Sequence, residues 1–173
     1  LASHPDLVRK LGAAGVDYVF VGMESPKAED LKAIRKGSGS AAQQEKAVAL
    51  LHESGVAVMS CFLLGLPNQT EKDIFEMVDY ARSLDLEDAY FAVMCPLPGS
   101  QLYDETKARG DLLEPDHRKW KLYDLVIRHD HVTPHQMREI CVRCNAKWYD
   151  DLMLPQAHRR WLRDGRRKRK LYD

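Results

Sequence analysis

The sequence predicts an α/β protein built on parallel strands, and three observations predict it. Residues 56–64 (VAVMSCFLL) are almost wholly apolar, which suits a strand buried on both faces of a parallel sheet. That run stops abruptly at Gly65-Leu66-Pro67-Asn68, and Thr70 and Asp73 then open a helix. Strand, glycine turn, helix is the order in which parallel α/β proteins offer backbone to ligands. Two further β-rich runs, 16–22 (VDYVFVG) and 89–95 (AYFAVMC), are separated from it by helical segments. The result is two right-handed βαβ crossovers.

Taken in order, residues 4–15 (HPDLVRKLGAAG) read as a helix stopped by Gly15, a glycine being able to take the left-handed turn that ends a helix. The strand 16–22 follows, with Glu24 and Ser25 at its end. Ser25-Pro26 resembles an N-cap with proline at the first helical position, opening a helix to about Lys36 that Gly37-Ser38-Gly39 breaks. In the next helix, 40–54, Ser40 and Gln43 have capping-box spacing, and Gln44, Ala47, Val48 and Leu51 share a face. After the central strand comes a helix over 71–84, on which Ile74, Met77, Val78, Ala81 and Leu84 form one apolar stripe. The third strand closes on Pro96-Leu97-Pro98-Gly99-Ser100, and a short helix runs from Ser100 to Arg109. Beyond Gly110 no firm period holds until Thr133-Pro134-His135-Gln136, a capping box opening a helix to about Met153. Met137, Ile140, Cys141, Cys144, Trp148 and Leu152 make its stripe. We therefore expect three regions: 1–110, the strand-bearing part; 111–155, a helical extension; and 156–173, a basic tail.

The totals exclude several classes. With 26 basic and 26 acidic residues the formal net charge is +0, so no global field recruits nucleic acid or a membrane. The charge is concentrated in residues 159–170, readable as a solvated terminus or as a surface for an acidic partner. No apolar run reaches the roughly 18 residues of a membrane span. Four cysteines, Cys61, Cys95, Cys141 and Cys144, lie on predicted strands and one helix rather than in a disulfide framework, and point to a reducing, cytoplasmic setting. The first strand is as apolar as the others, yet nothing upstream can pair with its outer edge. Such an edge invites aggregation, so the chain is expected to be a piece of a longer protein carrying the neighbouring strands.

Chemistry in such folds gathers at the carboxyl ends of strands. Glu24 is the carboxylate directly at a strand end; it either binds a ligand hydroxyl or amine, or supports its turn and pairs with Lys27. The glycine- and proline-rich ends around Gly65 and Pro98 suit a flat polar heterocycle read by main chain. Cys141-Val142-Arg143-Cys144 is a lone CxxC in phase with the apolar stripe, a buried pair or a metal or redox site. His129, His131 and His135 are loop histidines or ligands. The residues 120–123 (WKLY) cover the sheet or stack a base. Walker, G-x-S-x-G and zinc-protease patterns are absent.

Three segments now align with one family. DYVFVGMESPKAEDLKAIRKG resembles the "v-x-x-G-x-E-S … L-x-x-I-x-K-G" segment of radical S-adenosylmethionine enzymes. VAVMSCFLLGLPNQT is similar to their fifth barrel strand, usually ending "G-L-P-G-E-T", and FAVMCPLPGSQLYDET to the sixth-strand "P-x-P-G-T-x-L-Y" segment. Together these span residues 6–110. The finer likeness is to the cobalamin-binding branch, including the anaerobic magnesium-protoporphyrin IX monomethyl ester cyclase group, and YDLVIRHDHVTPHQMREICVRCNAKWYDD looks like the helical region that follows the barrel there.

The resemblance implies a partial (half) TIM-type barrel holding the last three of six parallel strands. It implies S-adenosylmethionine, a 4Fe-4S cluster and, in that branch, cobalamin, the cluster cleaving S-adenosylmethionine reductively to a 5′-deoxyadenosyl radical. The CxxxCxxC cluster loop of the family is not in this sequence, so the chain alone is expected to be inactive and to need the N-terminal half of the barrel as its partner. By position, Glu24 and Ser25 would contact the ribose or methionine moiety of the cofactor. Backbone at Leu64, Gly65 and Leu66 would hold the adenine, and Cys95, Pro96, Pro98 and Gly99 would line the side of a small-molecule substrate. Asn68 and Gln69 depart from the usual glycine and glutamate, which questions any role of that glutamate's charge. The alternative is a non-catalytic half-barrel that binds a protein partner through the Trp120 region and the basic tail.

Overall fold

The computed structural model describes residues 1–36 and 39–150. Three parallel strands, β1 (Tyr18–Glu24), β2 (Ala57–Leu64) and β3 (Asp88–Val93), form one sheet in the order β1-β2-β3. Helices α1 (Pro5–Ala13), α2 (Ala28–Ala33), α3 (Ala41–Glu53), α4 (Glu71–Ser83), α5 (Gln101–Arg109) and α6 (Pro134–Trp148) surround it, with a 3-10 turn at His117–Lys119.

Local signals set most of the boundaries. The predicted capping boxes form, Ser40 with Gln43 and Thr133 with Gln136, and Thr70 with Asp73, expected to open α4, makes a third. Each relieves the unpaired N–H groups of a first helical turn. Gly110 ends α5 at φ 72°, a conformation glycine adopts without strain. The Ser25 N-cap, however, does not form. Helix α2 starts at Ala28 with Lys27 at its N-cap, two residues beyond the expected first position at Pro26, although the Ser25 hydroxyl still accepts the Lys27 N–H. The 36–40 breaker falls partly on Gly37 and Ser38, outside the described residues. So do Leu152, the end of the last predicted helix, and the basic tail.

The central strand is not buried on both faces as its composition predicted. Val58, Ser60, Phe62 and Leu64 are fully buried, whereas Ala57, Met59, Cys61 and Leu63 are only half-buried. Helices cover one face alone. Val8 of α1, Val48 and Leu51 of α3, Ile74, Met77, Val78 and Ala81 of α4, and Met137, Ile140, Cys141, Cys144 and Trp148 of α6 join the outer-face residues of the strands in one core. On the other face Tyr18, Phe20 and Tyr90 remain 57%, 58% and 49% exposed. Phe20 and Tyr90 meet edge-on across β2, with ring centroids 5.8 Å apart. Cys61 and Cys95 are half-buried.

Residues 111–150 are continuous with this core. Helix α6 lays the predicted stripe against α4 and β3, and Trp148 packs edge-on against Phe91 at 6.2 Å while its indole N–H donates to Asp88 at 3.3 Å. The CxxC pair is part of this packing: burial pushes the Cys141 thiol up to about 11 and the Cys144 thiol up to about 12. Thiols that resist ionisation in this way are poor metal ligands and poor nucleophiles. A second cluster, Leu66, Met94, Val126 and Ile127, with Trp120 against it, caps the carboxyl ends of β2 and β3. Trp120 thus covers that end of the sheet, its indole N–H donating to the Glu114 carbonyl at 2.9 Å, while Leu122 and Tyr123 stay exposed. No described helix is long and apolar enough to cross a membrane.

The loop after β1 is fastened to α4 by Lys27, whose ammonium donates to Asp73 and lies 3.5 Å from Glu76. The pairing of Lys27 with Glu24 allowed by the sequence does not occur. Lys27, then the Thr70 hydroxyl and N–H, hold the Asp73 carboxyl well below the usual carboxylate range.

Two outcomes follow from this packing. Trp148→Ala is expected to destabilise the chain by about 3–5 kcal/mol, read by urea denaturation. Asp73 has a lowered folded-state pKa, so its contribution is complete above the unfolded carboxylate value of about 4 and disappears as pH falls below it. The stability gap between the unaltered chain and Asp73→Asn is therefore expected to be widest near neutrality and to shrink on acidification, measured by denaturation at stepped pH.

Candidate functional site

Parallel pairing brings the three strand ends to one rim. The register sets Glu24 beside Phe62, and Leu64 beside Val93, so the turns after β1, β2 and β3 emerge side by side. A register shift between Gly22 and Glu24 marks a bulge at the end of β1. There Glu24 takes φ 66°, a left-handed conformation costly for a residue with a Cβ and typical of places where function over-determines the backbone.

That backbone folds the Glu24 side chain back over the open face of the sheet. A Cβ added at Gly22 would lie 2.4 Å from Glu24 Oε1. Gly22 is therefore the space in which the carboxylate sits. Lys36 comes from the far end of α2 to meet it, Nζ lying 3.2 Å from Glu24 Oε1 and also donating to the Gly22 carbonyl. Both side chains are partly screened, at 20% and 32% exposure, so the pair is stronger than a surface ion pair. The same carboxylate helps to push the Cys61 thiol on the neighbouring strand up, after burial as the main cause. The sequence reading passed over Lys36, although it stands in the quoted L-x-x-I-x-K-G pattern; only the chain's return over the strand end reveals its partner.

Ser25 lies beneath this rim. Its side chain is buried, donates to Asp30 Oδ2 at 2.6 Å and accepts the Lys27 N–H at 3.1 Å. Gln44, buried on α3, donates to the Ser25 carbonyl at 2.9 Å and the Gly39 carbonyl at 2.6 Å. These bonds hold the loop in which Glu24 is strained. The capacity of the Ser25 hydroxyl is thereby used within the protein.

The second turn is similarly self-satisfied. Gln69 Oε1 accepts the N–H groups of Gly65 and Leu66 at 2.9 and 3.3 Å, and its amide donates to the Leu63 carbonyl at 3.5 Å. The Leu64 carbonyl accepts the Met94 N–H at 2.8 Å. Gln69 is buried, so it needs these partners. This explains both departures from the usual pattern. A neutral amide accepts the two N–H groups as a carboxylate would, and Asn68 at φ 68° occupies a conformation that asparagine shares with glycine. The third turn presents half-buried Cys95, buried Pro96 and exposed Leu97, Pro98 and Gly99. Burial raises the Cys95 thiol. Of the three histidines, His129 reaches the rim, bonding the Leu66 carbonyl at 2.9 Å; His131 and His135 lie in exposed positions.

The described residues bring no three His, Cys, Asp or Glu side chains together as a metal site requires. Cys61 lies midway along β2, Cys95 just beyond β3 and the Cys141–Cys144 pair in the core of α6, so these thiols do not fit a 4Fe-4S cluster. The rim places a carboxylate and an ammonium after β1 beside the glycine turn after β2 and the proline turn after β3.

The sequence and the fold resemble known proteins. Residues 1–81 match the Radical SAM superfamily model. The chain is 31% identical to bacteriochlorophyllide d C-8(2)-methyltransferase of Chlorobaculum tepidum, over 75% of this chain and 29% of that protein. It is 28% identical to anaerobic magnesium-protoporphyrin IX monomethyl ester cyclase of Rubrivivax gelatinosus, over 68% of this chain and 20% of that one. Among solved structures, the radical S-adenosylmethionine methyltransferase TsrM from Kitasatospora setae, with cobalamin and a 4Fe-4S cluster bound, superposes with a TM-score of 0.56 at 25% identity, covering 64% of this chain and 21% of that chain. Coproporphyrinogen III oxidase from Escherichia coli shares the fold, with a TM-score of 0.58 at 15% identity over 85% of this chain and 29% of that chain. The chain spans less than a third of the length of these relatives. With its parallel sheet, its shared rim and these signatures, the chain belongs to the radical S-adenosylmethionine superfamily.

Proposed function

We propose that this chain forms one wall of the cofactor and substrate pocket of a radical S-adenosylmethionine methyltransferase. The further barrel strands would add at the free edge of β1 and enclose the exposed inner face. The observation that carries this reading is the Glu24–Lys36 pair folded over Gly22 at the carboxyl-end rim. A methionine moiety carries an ammonium and a carboxylate on one carbon, and this pair offers the complementary charges side by side. Ser25 acts beneath it by holding the loop rather than by its own contact. The N–H groups of Gly65 and Leu66 are committed to Gln69, and the carbonyls of Leu64 and Leu66 to Met94, Gln69 and His129, so the turn would hold the adenine chiefly by shape and apolar contact.

When bound, S-adenosylmethionine supplies an adenosyl group whose reductive release as a radical is the chemistry general to the superfamily. The cluster that drives this release is assigned to residues outside those described here. The substrate side is assigned to Cys95, Pro96, Pro98 and Gly99, with the Phe20–Tyr90 pair as an apolar floor. A flat, largely apolar substrate suits such a floor. Relatives named for bacteriochlorophyllide and protoporphyrin substrates support that class, and the cobalamin bound by TsrM supports cobalamin as the second cofactor.

Titration with S-adenosylhomocysteine tests this. Binding to the chain is expected, with Glu24→Gln and Lys36→Met each weakening it about tenfold, as loss of a charge-assisted hydrogen bond implies. Gly22→Ala is expected to weaken it similarly by displacing the Glu24 carboxylate, while leaving the melting temperature nearly unchanged. No binding, or binding indifferent to all three changes, would overturn the reading. Tight, salt-sensitive capture of a protein partner by the same variants would favour the scaffold instead. Reconstitution of the chain with iron and sulfide is expected to give no thiolate-to-iron charge-transfer absorption; a stable cluster would refute the assignment of its ligands elsewhere.

A further inference from the structure

We propose that His129 is a positioning residue for the Gly65–Leu66 turn, holding from outside the barrel the backbone that faces the adenosyl group. The proposal rests on the cofactor reading above and deepens it.

His129 lies 63 residues beyond the turn it touches, in the segment between α5 and α6. Both of its ring nitrogens are engaged. Nε2 bonds the Leu66 carbonyl at 2.9 Å, and Nδ1 accepts the His131 N–H at 3.2 Å. A carbonyl can only accept, so Nε2 carries the hydrogen and Nδ1 the lone pair, the pattern that satisfies both contacts. The Leu66 carbonyl also accepts the Gln69 N–H at 3.0 Å. The turn is therefore gripped from two sides. Gln69 takes its N–H groups from within, and His129 takes its carbonyl from without.

Packing alone does not supply this grip. Leu125 of this segment and Met137 of α6 do press on the turn, each with a methyl carbon 3.2 Å from the position of a Cβ at Gly65. On the His129 side, however, the turn borders a cavity of about 220 Å³, whose walls include Gly65, Asn68, Thr106, Arg109, Arg128 and His129. A ring beside open space is oriented by its hydrogen bonds. The Leu66 carbonyl, in the peptide bond to Pro67, has two hydrogen-bond partners, the Gln69 N–H and the His129 ring, and the second comes from outside the turn.

The test compares His129→Leu, which keeps bulk but loses both bonds, with His129→Gln, whose amide can donate to Leu66 and accept from His131. Amide hydrogen exchange and S-adenosylhomocysteine affinity are read on the full chain. In His129→Leu, exchange at Gly65, Leu66 and Gln69 is expected to quicken about five- to tenfold, the loss of one net hydrogen bond, with amides at the centre of β2 unchanged. Affinity should fall by a similar factor, and His129→Gln should restore both to within about twofold. If leucine changes neither quantity, or if glutamine is no better than leucine, the proposal is overturned. Should the unaltered chain ignore S-adenosylhomocysteine, the adenosyl reading fails. The exchange comparison then still decides whether His129 holds the turn.

Discussion

Parallel pairing of three strands in one register is the constraint from which the rest of the molecule follows. It places three carboxyl-end turns on a single rim, whereas an antiparallel neighbour would send one of them to the opposite end of the sheet. The pairing of Glu24 with Phe62 and of Leu64 with Val93 is what brings a carboxylate, a glycine turn and a proline turn to the same end of the sheet. Each crossover has to return over the same face to keep this order. That is why α3, α4 and α6 share one core while the opposite face stays open.

The rim depends on backbone groups being consumed in the right places. Glu24 remains in a strained conformation because Lys36, the space left by Gly22 and the buried loop bonds of Ser25 and Gln44 all favour it. The turn after β2 is held in the opposite manner, without charge, by the amide of Gln69. A strained charged group and a relaxed neutral turn thus lie on adjacent strands. The first presents paired charges, and the second a turn whose polar groups are internally satisfied.

Residues 111–150 carry more of this arrangement than their position after the strands suggests. Leu125, His129 and Met137 press on the turn after β2, and Trp148 seals the outer face of β3. Removing them would leave Gly65 and Leu66 held on one side only. The strands and the segment beyond them therefore act as one cooperative unit around the rim.

Capping boxes at Ser40, Thr70 and Thr133, the stripe along α4 and α6, and the three strands were legible because each rests on residues close in the chain. The identity of the rim was legible for the same reason: strand ends coincide with Gly22, Gly65 and Pro98. Glu24 could be singled out, but not its partner, since Lys27 and Lys36 are both near in sequence and only the path of α2 separates them. Ser25 was expected as the cap, but the helix begins only at Ala28, and the hydroxyl both accepts the Lys27 N–H and donates to Asp30 across the loop. The exposed face of β2 was hidden by composition, since apolar residues serve a covered helix interface and an open barrel interior equally well. By itself, then, the sequence determined the elements, their parallel order and the family, all consequences of local pattern. Tertiary structure alone decided which polar atoms are spent and which remain, because hydrogen bonds such as His129 to Leu66 join residues that no local rule connects.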